Sequence, residues 1–274
     1  MIIKNIMTVD LEDYYCDLPF NVWDEYPSRI VETTNILLEL FESHNVSATF
    51  FTLGYIAQRH PELIEKIIAK GHEIASHGYS HTHMQNFPHE QDFESDLVKS
   101  LEIIEKVSGE KVLGFRAPYF SIKRKHVWAF NIIRKHLKYD SSIFPVRPHY
   151  ELGSAPRYPY KMSEDDPFKF DDNSNFTEIP MSTWKFWGLT NMPIAGGFYL
   201  RFIPFWIINS GLRKINESGH SAMMYIHPKD LDSGMPKIKQ YTWHYYWDLK
   251  STTKKLDFLF KNFRFTSVRD KLNL

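Results

Sequence analysis

The feature that most constrains the fold is an alternation of short apolar runs with segments of helical periodicity over the first two-thirds of the chain. Residues 2–9 form a β-branched apolar run that stops at Asp10, and residues 48–53 and 73–76 read as further strands. Between and after them come helical patterns. Residues 29–42 place Ile30, Ile36, Leu37, Leu40 and Phe41 on one side. Residues 61–70 open on Pro61 and close at Gly71, the usual order of helix start and stop residues. Residues 90–108 align Phe93, Leu97, Leu101, Ile104 and Val107 on one face and stop at Gly109. A strand at 112–115 and a helix at 125–136 continue the series. Strand–helix alternation predicts a parallel sheet with covering helices. Residues 144–175, rich in Pro, Tyr, Asp and Asn, interrupt it as a long loop excursion. The pattern resumes with strands at 176–180 and 221–227, helices near 201–217 and at 248–260, and a last strand near Phe265. The expectation is α/β: a single domain over 1–274, folded as a barrel or near-barrel of parallel strands.

Polar groups capable of chemistry stand where these strands end. Asp10, Glu12 and Asp13 follow the first, His77 and His81 the third, Arg116 the fourth; Asp140 comes soon after the helix at 125–136, and His227 closes a late strand. In parallel barrels chemistry collects at the carboxyl ends of the strands. Ser76-His77-Gly78-Tyr79-Ser80-His81 sets two imidazoles three residues apart, as on one side of a helical turn, close enough to share a cation. With one carboxylate from the opening acidic cluster they would leave coordination positions open for water and substrate. A surface loop with incidental histidines is the bland alternative, since His72 and His83 lie nearby.

Taken in order, five segments resemble the motifs of the polysaccharide deacetylase family (NodB homology domain, carbohydrate esterase family 4). They are Thr8-Val9-Asp10-Leu11-Glu12-Asp13, the His77/His81 segment, Arg116-Ala117-Pro118-Tyr119, Asp140-Ser141-Ser142 and Tyr225-Ile226-His227-Pro228. The first of them, with Glu178-Ile179-Pro180-Met181-Ser182, is most similar to the branch found in bacterial surface-polysaccharide gene clusters. The resemblance implies a distorted (β/α) barrel of about seven parallel strands and one divalent metal on His77 and His81, with Asp10 as general base. It implies that Arg116 keeps Asp10 ionised, that the Tyr119 backbone N–H faces the oxyanion, and that Asp140 sets the charge of His227, which protonates the leaving amine. The metal-binding carboxylate stays open: spacing by two and strand alternation favour Glu12, side-chain identity favours Asp13, and the other would be a supporting or helix-capping group. Zinc suits two His and a carboxylate; Co2+, Ni2+, Fe2+ or Mn2+ also fit. The expected reaction removes acetate from an N-acetylated sugar in polymeric, lipid-linked or nucleotide-linked form. Cleavage of a formamide or ureide, or a non-catalytic carbohydrate-binding barrel, are the alternatives.

Thirty-three basic against 33 acidic residues give no reason to expect a nucleic-acid partner. Cys16 is the one cysteine and lies in no recognisable nucleophile motif. The opening residues read as a strand and not as a secretory segment, and no run approaches the ~20 apolar residues of a membrane span, so a cytoplasmic protein is expected. Trp184, Phe186 and Trp187 would either stack on a sugar or pack in the core. The aromatic stretch 241–247 would close over substrate or face a second subunit. Gly196-Gly197 reads as a turn.

Overall fold

Strand β1 (Lys4–Leu11) is buried at every position after Lys4, as expected of a strand covered on both faces. It organises the sheet in this computed structural model, which describes residues 3–146, 155–186 and 190–274. The chain continues with α1 (Ile30–Ser43), β2 (Thr49–Thr52), α2 (Gly54–Arg59), α3 (Pro61–Ala69), β3 (Glu73–Ser76), α4 (Glu90–Ser108), β4 (Gly114–Phe115), α5 (Trp128–His136) and β5 (Tyr139–Asp140). Then follow β6 (Tyr160–Lys161), β7 (Thr177–Glu178), β8 (Thr183–Phe186), β9 (Thr190–Pro193), α6 (Gly197–Phe202), α7 (Phe205–Glu217), β10 (Met223–Ile226), α8 (Thr252–Asn262), β11 (Arg264–Thr266) and α9 (Val268–Leu272).

Among the described residues, the main sheet runs β10-β1-β2-β3-β4-β5-β7-β6, with β11 pairing the start of β1. All its pairings are parallel except β6 with β7. Beyond β7 the chain reaches back towards β10, where the Met223 N–H donates to Ser182 Oγ at 2.7 Å. This is the expected curled, mostly parallel sheet with its covering helices. Helix α4 shows why the helical patterns were readable: Phe93, Leu97, Leu101 and Ile104 are buried on one face. Its ends are marked by Asp92, whose carboxylate accepts the His89 N–H at 3.0 Å, and by Gly109 at φ 68°.

Two expectations need correction, and one alternative is decided. The stretch 144–175 is not wholly irregular: where it is described, β6 forms an antiparallel ribbon with β7, and Met162 bridges Phe170. The helix read near 201–217 is two helices, because Pro204 has no N–H to continue the first. Trp184 sits on the β8–β9 hairpin, packed against the core; its Cβ lies 3.4 Å from where a side chain at Gly211 of α7 would begin. Trp187 lies outside the described residues. No helix among them is long and apolar enough to cross a membrane.

At the foot of the barrel, His72 is packed between the rings of Phe41 and Phe50 (5.5 and 5.3 Å), and its Nδ1 accepts the Ala48 N–H at 3.2 Å. Burial lowers its pKa to about 4, whereas an unfolded histidine takes its proton near 6.5. The unfolded chain therefore binds more protons between these values, and stability falls as pH drops through that window, by at most about 3 kcal/mol from this residue. We expect urea midpoints measured from pH 7 to pH 4 to decline less in His72→Asn, whose amide oxygen can still accept the Ala48 N–H. An undiminished slope would assign the effect elsewhere.

Candidate active site

The strand register brings the polar residues to one mouth. Asp10, one residue before the end of β1, stands opposite Phe51, Ser76 of β3 pairs Phe115 of β4, and Val9 pairs Ile226 of β10. His77, Arg116 and His227 are therefore each the first residue beyond a neighbouring strand. The chain then turns at once after β1, with the Glu12 N–H donating to Asp10 O at 3.0 Å. Glu12 thereby faces the same opening, a cavity of about 300 Å³ also bordered by Tyr119, Phe198, Tyr199 and Tyr225.

Glu12, His77 and His81 each bring one ligand atom within 4.8 Å of the others, all three buried. Each imidazole is oriented from behind. His77 Nδ1–H donates to the Arg116 carbonyl at 2.7 Å, and His81 Nδ1–H to the Cys16 carbonyl at 3.1 Å. That leaves both Nε2 lone pairs available, the usual outer support of a metal-binding histidine. His81 Nε2 lies 3.4 Å from Glu12 Oε2. Burial lowers the His77 pKa to about 4, so the ring is neutral at neutral pH. Burial alone would raise Glu12, but His81, Lys229 and His227 together hold it well below the usual carboxylate range. Two imidazole nitrogens and one carboxylate make a donor set suited to a divalent cation. The histidines converge through an irregular loop and not the helical turn expected from their spacing: Gly78 has φ 77° and His81 φ 53°.

Asp10 is buried beside this group. Its Oδ1 accepts from Arg116 Nη1 at 2.5 Å, and its Oδ2 lies 4.0 Å from His227 Nε2. His227 is held by carboxylates on both ring nitrogens, Glu12 Oε1 at 3.0 Å and Asp230 Oδ2 at 3.0 Å. Burial opposes its charge, but these two carboxylates prevail and raise its pKa to about 10. Asp230 is in turn ion-paired with Arg201 at 2.9 Å.

Asp13 does not join the group. Its Oδ1 accepts the Tyr14 N–H at 2.8 Å, and its Oδ2 accepts Ser28 Oγ–H, Arg29 N–H and Ile30 N–H at 2.6, 3.0 and 3.2 Å. It caps the start of α1. Asp140 is also placed differently from the expectation: its two oxygens accept Ser142 N–H and Ser142 Oγ–H, each at 2.8 Å, while Asp230 holds His227. Ser142 Oγ also accepts the Ala117 N–H at 2.8 Å, so Asp140 steadies the segment that leads to Tyr119. Tyr119 borders the cavity at φ 58°, its ring 4.4 Å from that of His81. Gly196-Gly197 serves close approach rather than a simple turn, because a Cβ on Gly197 would stand 1.7 Å from Asp230 Oδ2.

Four residues of the site were missed: Asp230, Arg201, Lys229 and Asp17. Lys229 Nζ bridges Asp17 Oδ2 (2.8 Å) and Glu12 Oε2 (3.4 Å) at the rim. Asp230 had a visible signal. It stands three residues after His227, with a proline between, and its carboxylate accepts the His227 N–H at 2.8 Å, a capping arrangement.

Residues 20–133 match the polysaccharide deacetylase family, and residues 141–273 match a domain of unknown function (DUF3473). The chain is 33% identical over 100 residues to a peptidoglycan-N-acetylglucosamine deacetylase of Bacillus cereus, covering 36% of each. It is 29% identical over 170 residues to the peptidoglycan deacetylase of Helicobacter pylori, covering 57% of this chain and 54% of that one. It thus spans between about a third and about half of the length of these curated relatives. A solved structure from Mycobacterium smegmatis, classed with the polysaccharide deacetylases, superposes with TM-score 0.63 at 18% identity, over 95% of this chain and 87% of that one, and has the same fold. Residues 20–133 thus match the polysaccharide deacetylase family, and they lie in a curled parallel sheet whose fold is shared with that solved structure.

Proposed function

We propose that this protein is a metal-dependent hydrolase that removes the N-acetyl group of an amino sugar, giving acetate and a free amine. The observation that carries this reading is the meeting, at one cavity, of a Glu12/His77/His81 donor set, a carboxylate fixed by a buried arginine, and a histidine held between two carboxylates. Relatives named for N-acetylglucosamine deacetylation support the substrate class.

A divalent cation on Glu12, His77 and His81, with zinc the best match to the donors, would polarise the amide carbonyl and acidify a water. The chain's own groups supply the proton traffic. Asp10 has one oxygen engaged by Arg116, so its other oxygen takes the proton from the attacking water. As the carbonyl carbon becomes tetrahedral, negative charge grows on its oxygen. The Tyr119 backbone N–H, on the turn steadied by Asp140 and Ser142, is the donor aimed at that charge. His227 starts protonated, because Glu12 and Asp230 favour its cation, and passes a proton to the amine nitrogen as the C–N bond breaks. Asp230, anchored by Arg201, keeps the ring turned towards the cavity.

Acetate release from N-acetylated chitooligosaccharides tests this reading. Asp10→Asn should lower kcat by about 10²–10⁴ with little change in bound metal; near-normal turnover would dismiss Asp10 as the base. The two acidic neighbours should separate cleanly. Metal analysis after dialysis should show Glu12→Gln depleted of metal. Asp13→Ala should keep its metal and lose about 1–2 kcal/mol of stability with its helix cap. The reverse pattern would exchange their roles.

A further inference from the structure

The cavity mouth continues outward as an aromatic surface. Phe198, on the cavity wall, stacks on Phe202 at 5.3 Å. Phe202 meets Trp243 and Trp247 at 5.9 and 6.5 Å, and the two tryptophans meet edge-on at 5.6 Å. Phe202, Trp206, Trp243, Trp247 and Phe258 are 41–61% exposed. Contiguous apolar surface of this kind usually marks an interaction site. Its backbone is fastened: the buried Arg201 donates to the carbonyls of Trp247 (2.5 Å) and His244 (3.2 Å), and the Tyr241 hydroxyl donates to Tyr14 O at 2.6 Å.

Charge says what this surface meets. The chain as a whole is neutral, yet residues 237–261 hold six lysines and two aspartates. Those aspartates are occupied, Asp248 by Lys255 at 3.0 Å and Asp257 by Lys261 at 2.7 Å. Lys237, Lys239, Lys250 and Lys254 are exposed with no acidic partner among the described residues. Lys254 and Phe258 stand four residues apart on α8 and share one outer face, and the exposed Trp247 and Lys250 come just before that helix in the chain.

We propose that this aromatic and lysine face docks on an anionic bilayer surface, with the cavity opening at headgroup level. Tryptophan rings settle at the lipid–water boundary, and each nearby lysine gains from an anionic leaflet. A neutral glycan would use the rings but not the unpaired lysines, and a second copy would oppose like charge to like. Resting on the deacetylase reading, the inference names the substrate class: N-acetylated glycans held at the membrane by a lipid carrier.

The test is co-sedimentation of the full chain with phosphatidylcholine vesicles, with and without about one-third phosphatidylglycerol, together with the tryptophan emission wavelength. The expected result is binding to the anionic vesicles alone, weakened by salt, with a blue shift. Trp243→Ser/Trp247→Ser and Lys250→Gln/Lys254→Gln should each weaken binding roughly tenfold or more while acetate release from a soluble N-acetylated oligosaccharide is unchanged. Failure of the wild-type chain to sediment with the anionic vesicles overturns the proposal. So do equal binding to neutral vesicles, a tryptophan-dependent dimer in place of binding, and a tryptophan-dependent affinity for soluble glycan alone. Vesicle binding without acetate release would instead remove the deacetylase reading and leave the docking intact.

Discussion

The arrangement depends on one fully buried guanidinium. Arg116 has five N–H donors, and the site offers five acceptors: Thr8 Oγ1, Asp10 Oδ1, Ser141 Oγ, the Ser141 carbonyl and the Met223 sulfur, at 2.5–3.5 Å. Its face lies 4.0 Å from the Phe51 ring. These partners come from β1, β2, β10 and the end of β5, so the guanidinium sits where strands from both ends of the sheet converge. A buried charge without partners costs several kcal/mol, and breaking a buried pair costs about 3–5 kcal/mol. The Arg116–Asp10 pair and the closure of the barrel around it are therefore coupled. With every donor engaged, none remains for a substrate, and Arg116 is a positioning residue.

The histidines show how environment divides the work among identical side chains. His77 is buried and His227 half-buried, both at strand ends a few ångströms from Asp10 or Glu12. The polar partner of His77 is a backbone carbonyl, so burial prevails and the ring is neutral, fit to donate a lone pair. His227 has a carboxylate on each nitrogen, and the same burial is overcome, leaving a cation fit to donate a proton. Opposed shifts in neighbouring titratable groups are the general mark of an acid–base assignment. A second pair lies deeper: Asp140 and Glu178, opposite each other on β5 and β7, are both raised by burial, Glu178 further by the Asp140 charge. A proton on Glu178 leaves Asp140 ionised to hold Ser142.

Much of this was legible in the residues because parallel strands buried on both faces are uninterrupted apolar runs, so the first polar residue after each run is conspicuous. Asp10, His77, Arg116 and His227 stand out for that reason, and β3 and α4 have the bounds their patterns predict. The rest was hidden for physical reasons. Helix α2 has six residues, too few for a periodic signal. The antiparallel ribbons β6–β7 and β8–β9 carry polar residues on short strands. The choice between Glu12 and Asp13 is made by a single tight turn after β1 and by the unsatisfied N–H groups of α1, which claim Asp13. Asp140 was assigned to His227 from the resemblance; here a carboxylate three residues from that histidine is nearer and leaves Asp140 to the neighbouring loop.

The two matched stretches, 20–133 and 141–273, do not divide the site between them as separate units. His77, His81 and Arg116 lie in the first; His227, Asp230 and Arg201 lie in the second; Asp10 and Glu12 precede both. Strand β1 explains how they act together, since it pairs β2 on one side and β10 on the other, with β11 beside its first residues. Asp10 is therefore presented to a histidine more than two hundred residues away by direct hydrogen bonding of adjacent strands, not by the docking of one finished domain on another. The first stretch alone would lack the strand that bears Asp10 and the strand that leads to His227. The chemistry is set by the sheet that joins the two halves, and the second half, which also carries the aromatic and lysine surface, shares in the site as fully as the first.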